Sequence, residues 1–115
     1  MSKITAVRTI RLGERQNLIW VEIDTDEELT GLGETFRGAD AVESIVHNQI
    51  APWLIGQDLR RIEFVARTLT TPYLGFHSAG AETRATSAAD IALWDLAGQR
   101  HRIPVHEVLG VPPAA

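Results

Sequence analysis

The chain has 115 residues, a formal net charge of −4, 44% hydrophobic residues, 23% charged residues and no cysteine. This length suits one domain with its own core and is too short for a (β/α)₈ barrel, which needs about 250 residues. An acidic balance without a Lys/Arg stripe argues against nucleic-acid binding, and the lack of cysteine rules out disulfides and zinc–thiolate sites. With no signal-peptide pattern and no membrane-length apolar run, a cytoplasmic protein that does not contact membranes is expected.

Three segments rich in β-branched residues occupy the first third of the chain. Lys3–Leu12, Leu18–Thr25 and Leu29–Phe36 are predicted to be strands. The polar stretch Gly13–Asn17 is predicted to be a loop, and the acidic stretch Asp24–Glu28 is predicted to be a turn. Because consecutive strands joined by short turns usually pair with each other, an antiparallel meander is expected.

The alternation of side chains predicts which residues face the core. In the first strand, Ile4 and Val7 are expected on opposite faces. Gly31 and Gly33 are expected to loosen the third strand. The second strand should place one apolar set on a single face: Ile19, Val21 and Ile23.

The hydrophobic period then changes to that of helices. Ala41–Ile50 predicts a helix with Asp40 as its N-cap and Pro52 as its end. Asp58 is predicted to cap a second helix, Leu59–Thr70, because an aspartate before an amphipathic run is typical of a helix start. The buried face of this helix should consist of Ile62, Val65, Ala66 and Leu69.

A long helix is predicted from near Ala81 to about Arg100. One of its faces is made of small and aliphatic residues, which would let another backbone approach closely: Ala85, Ala89, Leu93 and Leu96. Pro104 suits the first position of a short terminal helix, and Gly110 suits its stop. Strands followed by helices predict an α+β fold, a three-stranded antiparallel meander followed by a bundle of three to four helices.

Several motifs resemble one known family. Thr86–Gly98 reads TSAADIALWDLAG and Pro104–Gly110 reads PVHEVLG. This pattern resembles the segment that closes the N-terminal capping domain in the mandelate racemase and muconate lactonizing enzyme branch of the enolase superfamily. Leu29–Glu34 is similar to the family's G-x-G-E strand, and Ala51–Asp58 is similar to its P-x-L-I-G-x-D link. The resemblance covers nearly the whole chain and implies a capping domain over residues 1–110, with residues 111–115 as a tail where the barrel would begin.

The resemblance implies chemistry on hydroxy acids or sugar acids. In the family, a base in the barrel removes the proton α to a carboxylate, and Mg²⁺ in that barrel stabilises the enediolate. The bases and metal ligands belong to barrel strands absent from this sequence, so no catalytic residue, metal ligand or cofactor is expected in this chain. A barrel, in the same polypeptide or a separate one, is the implied partner. The parent enzyme would be a lyase (sugar-acid dehydratase) or an isomerase (racemase or cycloisomerase), and this chain alone would be inactive.

The family's capping domain places two loops over the active site. Gly13–Asn17 and Tyr73–Gly80 match them, and Arg15 is a candidate for binding a substrate carboxylate because a guanidinium suits bidentate recognition. A solvated turn arginine is the alternative. The second loop contributes three candidate substrate-binding residues, which could instead anchor the loop to the core: Tyr73, Phe76 and His77.

Other polar residues are expected to serve structure. The acidic turn lacks the ligand register and glycine of a calcium loop and is expected to be simply solvated, whereas Glu34 should be a structural or supporting group. Asp90 and Asp95, five positions apart, should point to different faces of the long helix and hydrogen-bond neighbouring elements. His101 and His106 lack the spacing of a helical zinc pair and are expected at the surface.

A second hypothesis assigns the chain to a different class of protein, a stand-alone interaction module derived from the capping domain. The apolar faces of the long helix and the terminal helix would normally contact a barrel. Without that cover they would form a large exposed patch, which self-association could bury. A homo-oligomer is therefore expected.

Overall fold

The computed structural model describes residues 2–69 and 80–111 and confirms the α+β fold. Three antiparallel strands, β1 (Ile4–Leu12), β2 (Arg15–Thr25) and β3 (Thr30–Phe36), form a meander in the order β1-β2-β3. The first loop is shorter than expected. The strands β1 and β2 are joined by a turn at Gly13–Glu14, so Arg15 already belongs to β2.

The two faces of the sheet have different environments. Ile4 and Val7 are both buried, so the prediction that they lie on opposite faces was wrong. The register shifts between Ile4 and Ala6, and such a bulge changes the face that the following residues present. The central strand has no such shift along its core-facing positions and confirms the prediction, with Ile19, Val21 and Ile23 fully buried.

Helical structure begins directly after the sheet. Helix α1 (Ala39–Ile45) continues through a π-helical segment (Val46–Ile50) into α2 (Ala51–Leu54). A 3₁₀ turn (Leu59–Arg61) then leads into α3 (Ile62–Leu69). The last two helices are α4 (Ala81–His101) and α5 (Val105–Val108).

Two predicted helix boundaries were wrong. Gly38, with φ of 57°, precedes α1, so Asp40 lies in the first turn and accepts a hydrogen bond from Arg11 Nη1 at 2.9 Å instead of capping the helix. Pro52 does not end the helix but lies at an early position of α2. At such a position the missing proline N–H is not needed, and the wider π turn before it accommodates the change in hydrogen bonding.

The second predicted helix is confirmed in its cap and its buried face. The Asp58 carboxylate accepts from the Arg60 backbone N–H at 2.8 Å, as an N-cap should. The helix starts as a 3₁₀ turn rather than directly as an α-helix. All four residues predicted to face the core are buried: Ile62, Val65, Ala66 and Leu69.

The long helix α4 lies against β3 with almost no space between the backbones. A Cβ atom added to Gly33 would lie 1.8 Å from the Ala88 carbonyl oxygen, and one added to Gly31 would lie 2.2 Å from that of Ala92. These glycines therefore permit close packing rather than loosening the strand. The predicted small face of α4 is confirmed, since its four residues are fully buried: Ala85, Ala89, Leu93 and Leu96.

The terminal helix differs by one residue from the prediction. Pro104 is the N-cap of α5 rather than its first residue, with an extended backbone. Gly110 follows the helix with φ of 94°, a conformation that favours glycine and suits the predicted stop.

Candidate functional site

The first predicted lid is the end of the β1–β2 hairpin. Arg15 is exposed there and lines a shallow cavity of about 440 Å³ together with the side chain of Phe36, which is 60% exposed. The backbone N–H of Arg37 donates to the Asn17 carbonyl at 2.9 Å and fixes the end of β3 to the hairpin. Arg15 therefore belongs to a surface that β2 and β3 build together, and its role in binding a substrate carboxylate remains a prediction.

Three arginines lie around this end of the sheet. Arg37 has φ of 75°, and its guanidinium carbon lies 5.9 Å from the centroid of the Phe36 ring. Arg84, in the first turn of α4, reaches the neighbouring Gly38: its Nη2 would lie 3.5 Å from a Cβ added there. The Nε of Arg84 is buried without a hydrogen-bond partner in the described part of the chain. We call Arg15, Arg37 and Arg84 the arginine cluster.

The cluster has the chemistry of an anion-binding surface. Within residues 2–69 and 80–111, neither Arg15 nor Arg37 forms an ion pair, whereas Arg8, Arg11, Arg60 and Arg100 all do. A guanidinium without a protein carboxylate can bind a ligand carboxylate through two parallel hydrogen bonds. Sequence reasoning did not single out Arg37 or Arg84, because only the folded chain brings Arg37 to Asn17 and Arg84 to Gly38.

The other three predicted substrate-binding residues, Tyr73, Phe76 and His77, lie outside the described residues. Their lid role remains a prediction.

The acidic turn between β2 and β3 is part of a structural charge network. Asp24 accepts two hydrogen bonds from Arg8, at 2.6 and 3.0 Å, and these hold the pKa of its carboxyl below the ordinary value. Hydrogen bonds from Arg100, and then from Ser2, lower the pKa of Glu27 in the same way. The turn is therefore not simply solvated, since its carboxylates attach it to β1 and α4.

A second surface lies between the edge of β3 and the last two helices. It is an open groove of about 550 Å³, and three of its apolar residues are about half exposed: Leu32, Ile91 and Leu109. Two carboxylates, Asp90 and Asp95, also border this groove, and Asp95 makes the expected hydrogen bond to a neighbouring element, β3. The full lining, which we call the helical groove, is Leu32, Asp90, Ile91, Trp94, Asp95, Val105 and Leu109.

The two carboxylates of the helical groove have different roles. Burial raises the pKa of Asp90, and a hydrogen bond with the Trp94 side chain partly offsets the rise. Asp95 accepts from the Leu32 backbone N–H at 2.9 Å, and Gln99 donates to the Thr30 carbonyl at 2.8 Å. β3 is an edge strand of the sheet. Asp95 and Gln99 therefore satisfy backbone hydrogen-bonding groups of β3 that could otherwise pair with another strand.

Several smaller predictions can be compared with the structure. Glu34 accepts a hydrogen bond from the Trp20 indole at 2.6 Å, which is a structural role. His101 and His106 are exposed, as expected. Among the described residues, no group of three or more His, Asp or Glu side chains is placed to hold a metal ion.

None of the helices in the described ranges combines the length and apolar character needed to cross a membrane.

Two curated relatives share most of this chain. The D-mannonate dehydratase of Rhizorhabdus wittichii is 38% identical over 112 residues, which are 94% of this chain and 27% of that protein. The D-galactonate dehydratase of Ralstonia nicotianae is 40% identical over 111 residues, 94% of this chain and 28% of that protein. The chain thus spans less than a third of the length of these relatives.

Solved structures share the fold. An enolase protein from the Sargasso Sea environmental sequencing superposes with a TM-score of 0.89 at 56% identity, over 99% of this chain and 31% of that one. An enolase from Pantoea ananatis with bound D-gluconate and Mg superposes with a TM-score of 0.80 at 34% identity, over 99% of this chain and 28% of that one. The family model for the mandelate racemase / muconate lactonizing enzyme N-terminal domain matches residues 3–110. The chain therefore belongs to the mandelate racemase / muconate lactonizing enzyme family and corresponds to its N-terminal domain.

Proposed function

We propose that this chain is the capping domain of a Mg²⁺-dependent sugar-acid dehydratase and is inactive by itself. The observation that carries the proposal is the arginine cluster, whose Arg15 and Arg37 guanidiniums have no carboxylate partner in the described ranges at the hairpin end. A sugar acid carries one carboxylate and several hydroxyls, so a surface of free guanidiniums suits its binding. The two curated relatives, which are dehydratases of D-mannonate and D-galactonate, support this substrate class.

The chemistry of the described residues supports a division of labour between two domains. Mg²⁺ is held by oxygen ligands, usually carboxylates and waters in octahedral geometry. No such carboxylate group is present in the described ranges, so these residues do not fit a magnesium site. We assign the metal ligands and the base that removes the α-proton to the barrel of the parent enzyme. The part left to this chain is to bind the substrate carboxylate and to exclude water from the closed site.

The helical groove supports a barrel partner. Its half-exposed apolar side chains and the half-buried Asp90 are surfaces that a second domain would bury. A barrel supplied in the same polypeptide or as a separate chain could cover this groove while leaving the hairpin end over the active site. Residues 1–110 would then act as the domain, with residues 111–115 at the junction.

A domain replacement tests this function. The N-terminal domain of the R. wittichii D-mannonate dehydratase would be exchanged for residues 3–110 of this chain, and dehydration of D-mannonate would be followed with Mg²⁺ present. We expect the chimera to be active, and we expect Arg15→Gln and Arg37→Gln each to raise KM about tenfold or more, since a charge-assisted bidentate contact is worth about 1.5–3 kcal/mol. Arg102→Gln, at the opposite end of α4, is the matched control and should leave KM unchanged.

Two results would contradict the proposal. Turnover of a sugar acid by the isolated 115-residue chain would show that the chain is not merely a cap. A folded, assembled chimera with normal KM in both arginine variants would show that the arginine cluster does not bind the substrate.

The alternative function is a stand-alone oligomerising module, and the exposure of the helical groove favours it. In that case the groove itself would be the contact between copies. Ile91→Glu, which places a charge in the groove, should then abolish self-association of the chain, with the oligomeric state followed by light scattering.

A further inference from the structure

The helical groove has a charge pattern that the burial of apolar surface does not explain. Its two ionisable side chains, Asp90 and Asp95, are both carboxylates, and every other residue of its lining is aliphatic or aromatic. None of the described residues that line the groove is an arginine, a lysine or a histidine. A second domain that covers the groove therefore covers two negative charges as well as the apolar side chains.

The two carboxylates differ in how far the domain itself satisfies them. Asp95 accepts from the Leu32 backbone N–H at 2.9 Å and from the Gln99 side-chain amide at 3.1 Å, and both bonds fix it to β3 and α4. Asp90 shares a hydrogen bond with the Trp94 side chain of its own helix and forms no ion pair within residues 2–69 and 80–111. One such bond leaves most acceptor sites of a carboxylate unused.

Covering Asp90 has a consequence for the partner. Burial already raises the pKa of its carboxyl, because the ionised form has lost part of its solvation. A second domain over the groove removes the remaining water. Since burying an unpaired charge is costly, the covering surface must supply a group that compensates the carboxylate.

The group that fits this groove is a cation on an apolar stem. A metal ion needs a shell of several oxygen or nitrogen ligands, and the described residues offer no such group here. Arginine and lysine pack their methylene stems along apolar surface and place the charged head on a carboxylate. Arginine suits the site better, because its planar head binds a carboxylate through two parallel hydrogen bonds and stacks on an aromatic ring such as Trp94.

We propose that the helical groove receives an arginine side chain from the barrel of the parent enzyme, with its guanidinium on Asp90 and its stem on Ile91 and Leu109. The two aliphatic residues are about half exposed and provide the apolar surface for the stem. The matched family domain ends at residue 110, next to Leu109, so a barrel joined at that point begins beside the groove. An arginine buried at the centre of an interface is a common anchor between protein surfaces.

The inference rests on the proposed function for the source of the arginine, which is the barrel. The recognition of a guanidinium by the groove is a property of the described residues and does not depend on that source. Two experiments therefore separate the chemistry of the groove from the identity of the partner.

Titration of the 115-residue chain with n-hexylguanidinium tests the groove itself, with binding followed by the NMR shifts of backbone amides. We expect saturable shifts centred on Leu32, Ile91 and Trp94, with a dissociation constant on the order of millimolar for so small a ligand. The matched probes are 1-hexanol and hexanoate, which keep the stem and remove or reverse the charge. Both should bind at least about fivefold more weakly.

A nearly isosteric variant tests the role of the carboxylate. Asp90→Asn keeps an acceptor for Trp94 and removes the charge, so it should weaken the binding of n-hexylguanidinium at least about fivefold. Glu63→Gln, which removes the charge of an exposed carboxylate on α3, is the control and should bind as the wild type does. Equal binding of the charged and uncharged probes, or unchanged binding in Asp90→Asn, would overturn the proposal.

A crystal structure of the protein isolated from its own cell, with everything that co-purifies, tests the partner. We expect a barrel arginine with a guanidinium nitrogen about 3 Å from the Asp90 carboxylate. A barrel that covers Asp90 with apolar side chains alone, or a groove filled by a second copy of this chain, would overturn the proposal. If no barrel accompanies the chain, the proposed function fails and the barrel arginine fails with it, whereas the titration still decides whether the groove recognises a guanidinium.

Discussion

Replacing Gly33 with alanine should be among the most damaging single substitutions in this domain. The added Cβ would lie 1.8 Å from the Ala88 carbonyl oxygen and 2.8 Å from its carbonyl carbon, and real Cβ contacts below 3.0 Å are essentially never seen. To restore an ordinary contact, β3 and α4 must separate by more than about 1 Å, which opens the core between them.

The magnitude follows from the kind of atoms that collide. Overpacking a core typically costs about 1–3 kcal/mol when side chains can rotate away. Here the obstacle is backbone, which cannot rotate, so we expect Gly33→Ala to lower the free energy of unfolding by about 3 kcal/mol or more. Gly31→Ala, with its Cβ 2.2 Å from the Ala92 carbonyl oxygen, should be similarly harmful.

Urea unfolding followed by tryptophan fluorescence measures the effect, with the slope m compared between variants. Gly13→Ala is the matched control, because nothing lies within 4 Å of its added Cβ, and it should change stability by less than about 0.5 kcal/mol. Ala88→Gly should not rescue Gly33→Ala, since the clash is with the main chain of residue 88. A loss below about 1 kcal/mol for Gly33→Ala would refute the close-packing argument.

Two further predictions concern carboxylates. Asp95→Ala should destabilise the domain by about 1–3 kcal/mol in urea unfolding because it removes the acceptor of the Leu32 N–H, and an unchanged midpoint would contradict this. Hydrogen bonds from the Arg60 side chain, and then from its backbone N–H, lower the pKa of Asp58 from 3.8 to about 2, so Asp58 stabilises the fold above about pH 4 and loses that contribution as the pH falls through 2. The free energy of unfolding should therefore fall less steeply between pH 4 and 2 in Asp58→Asn than in the wild type, and equal slopes of the two curves would show that the Asp58–Arg60 pair is not formed. Carboxyl NMR of Arg60→Gln should show the pKa of Asp58 returning towards 3.8.

The sequence was sufficient for the parts of the fold that local patterns encode. Helical spacing identified the buried stripe of α3 and the small face of α4, and the Asp58 cap was readable because it acts within two residues. The positions of Asp40 and Pro52 were misjudged because tertiary contacts decide them. Arg11, which lies in β1, donates a hydrogen bond to the Asp40 carboxylate, and the π-helical segment lets the helix continue past Pro52.

Only part of the candidate site could be predicted from the sequence, because tertiary contacts also determine which residues meet there. Arg15 could be proposed because Gly13–Asn17 matches a lid loop of the family and a guanidinium suits bidentate recognition of a carboxylate. Arg37 and Arg84 are 47 positions apart in sequence numbering (84 − 37) and meet at Gly38 only in the folded chain. The glycines of β3 were noticed in the sequence, but their role required the distance to the α4 backbone, which no local pattern contains.

The size of the native polypeptide is the most direct test of the account. Intact mass spectrometry of the protein isolated from its own cell, with everything that co-purifies, would show what carries these residues. We predict either a polypeptide roughly three to four times as long, as the 27% and 28% coverage of its relatives suggests, or a tightly bound barrel-sized companion, with sugar-acid dehydratase activity that requires Mg²⁺. A lone product of 115 residues without a companion would contradict the capping role and leave self-association as the function to study.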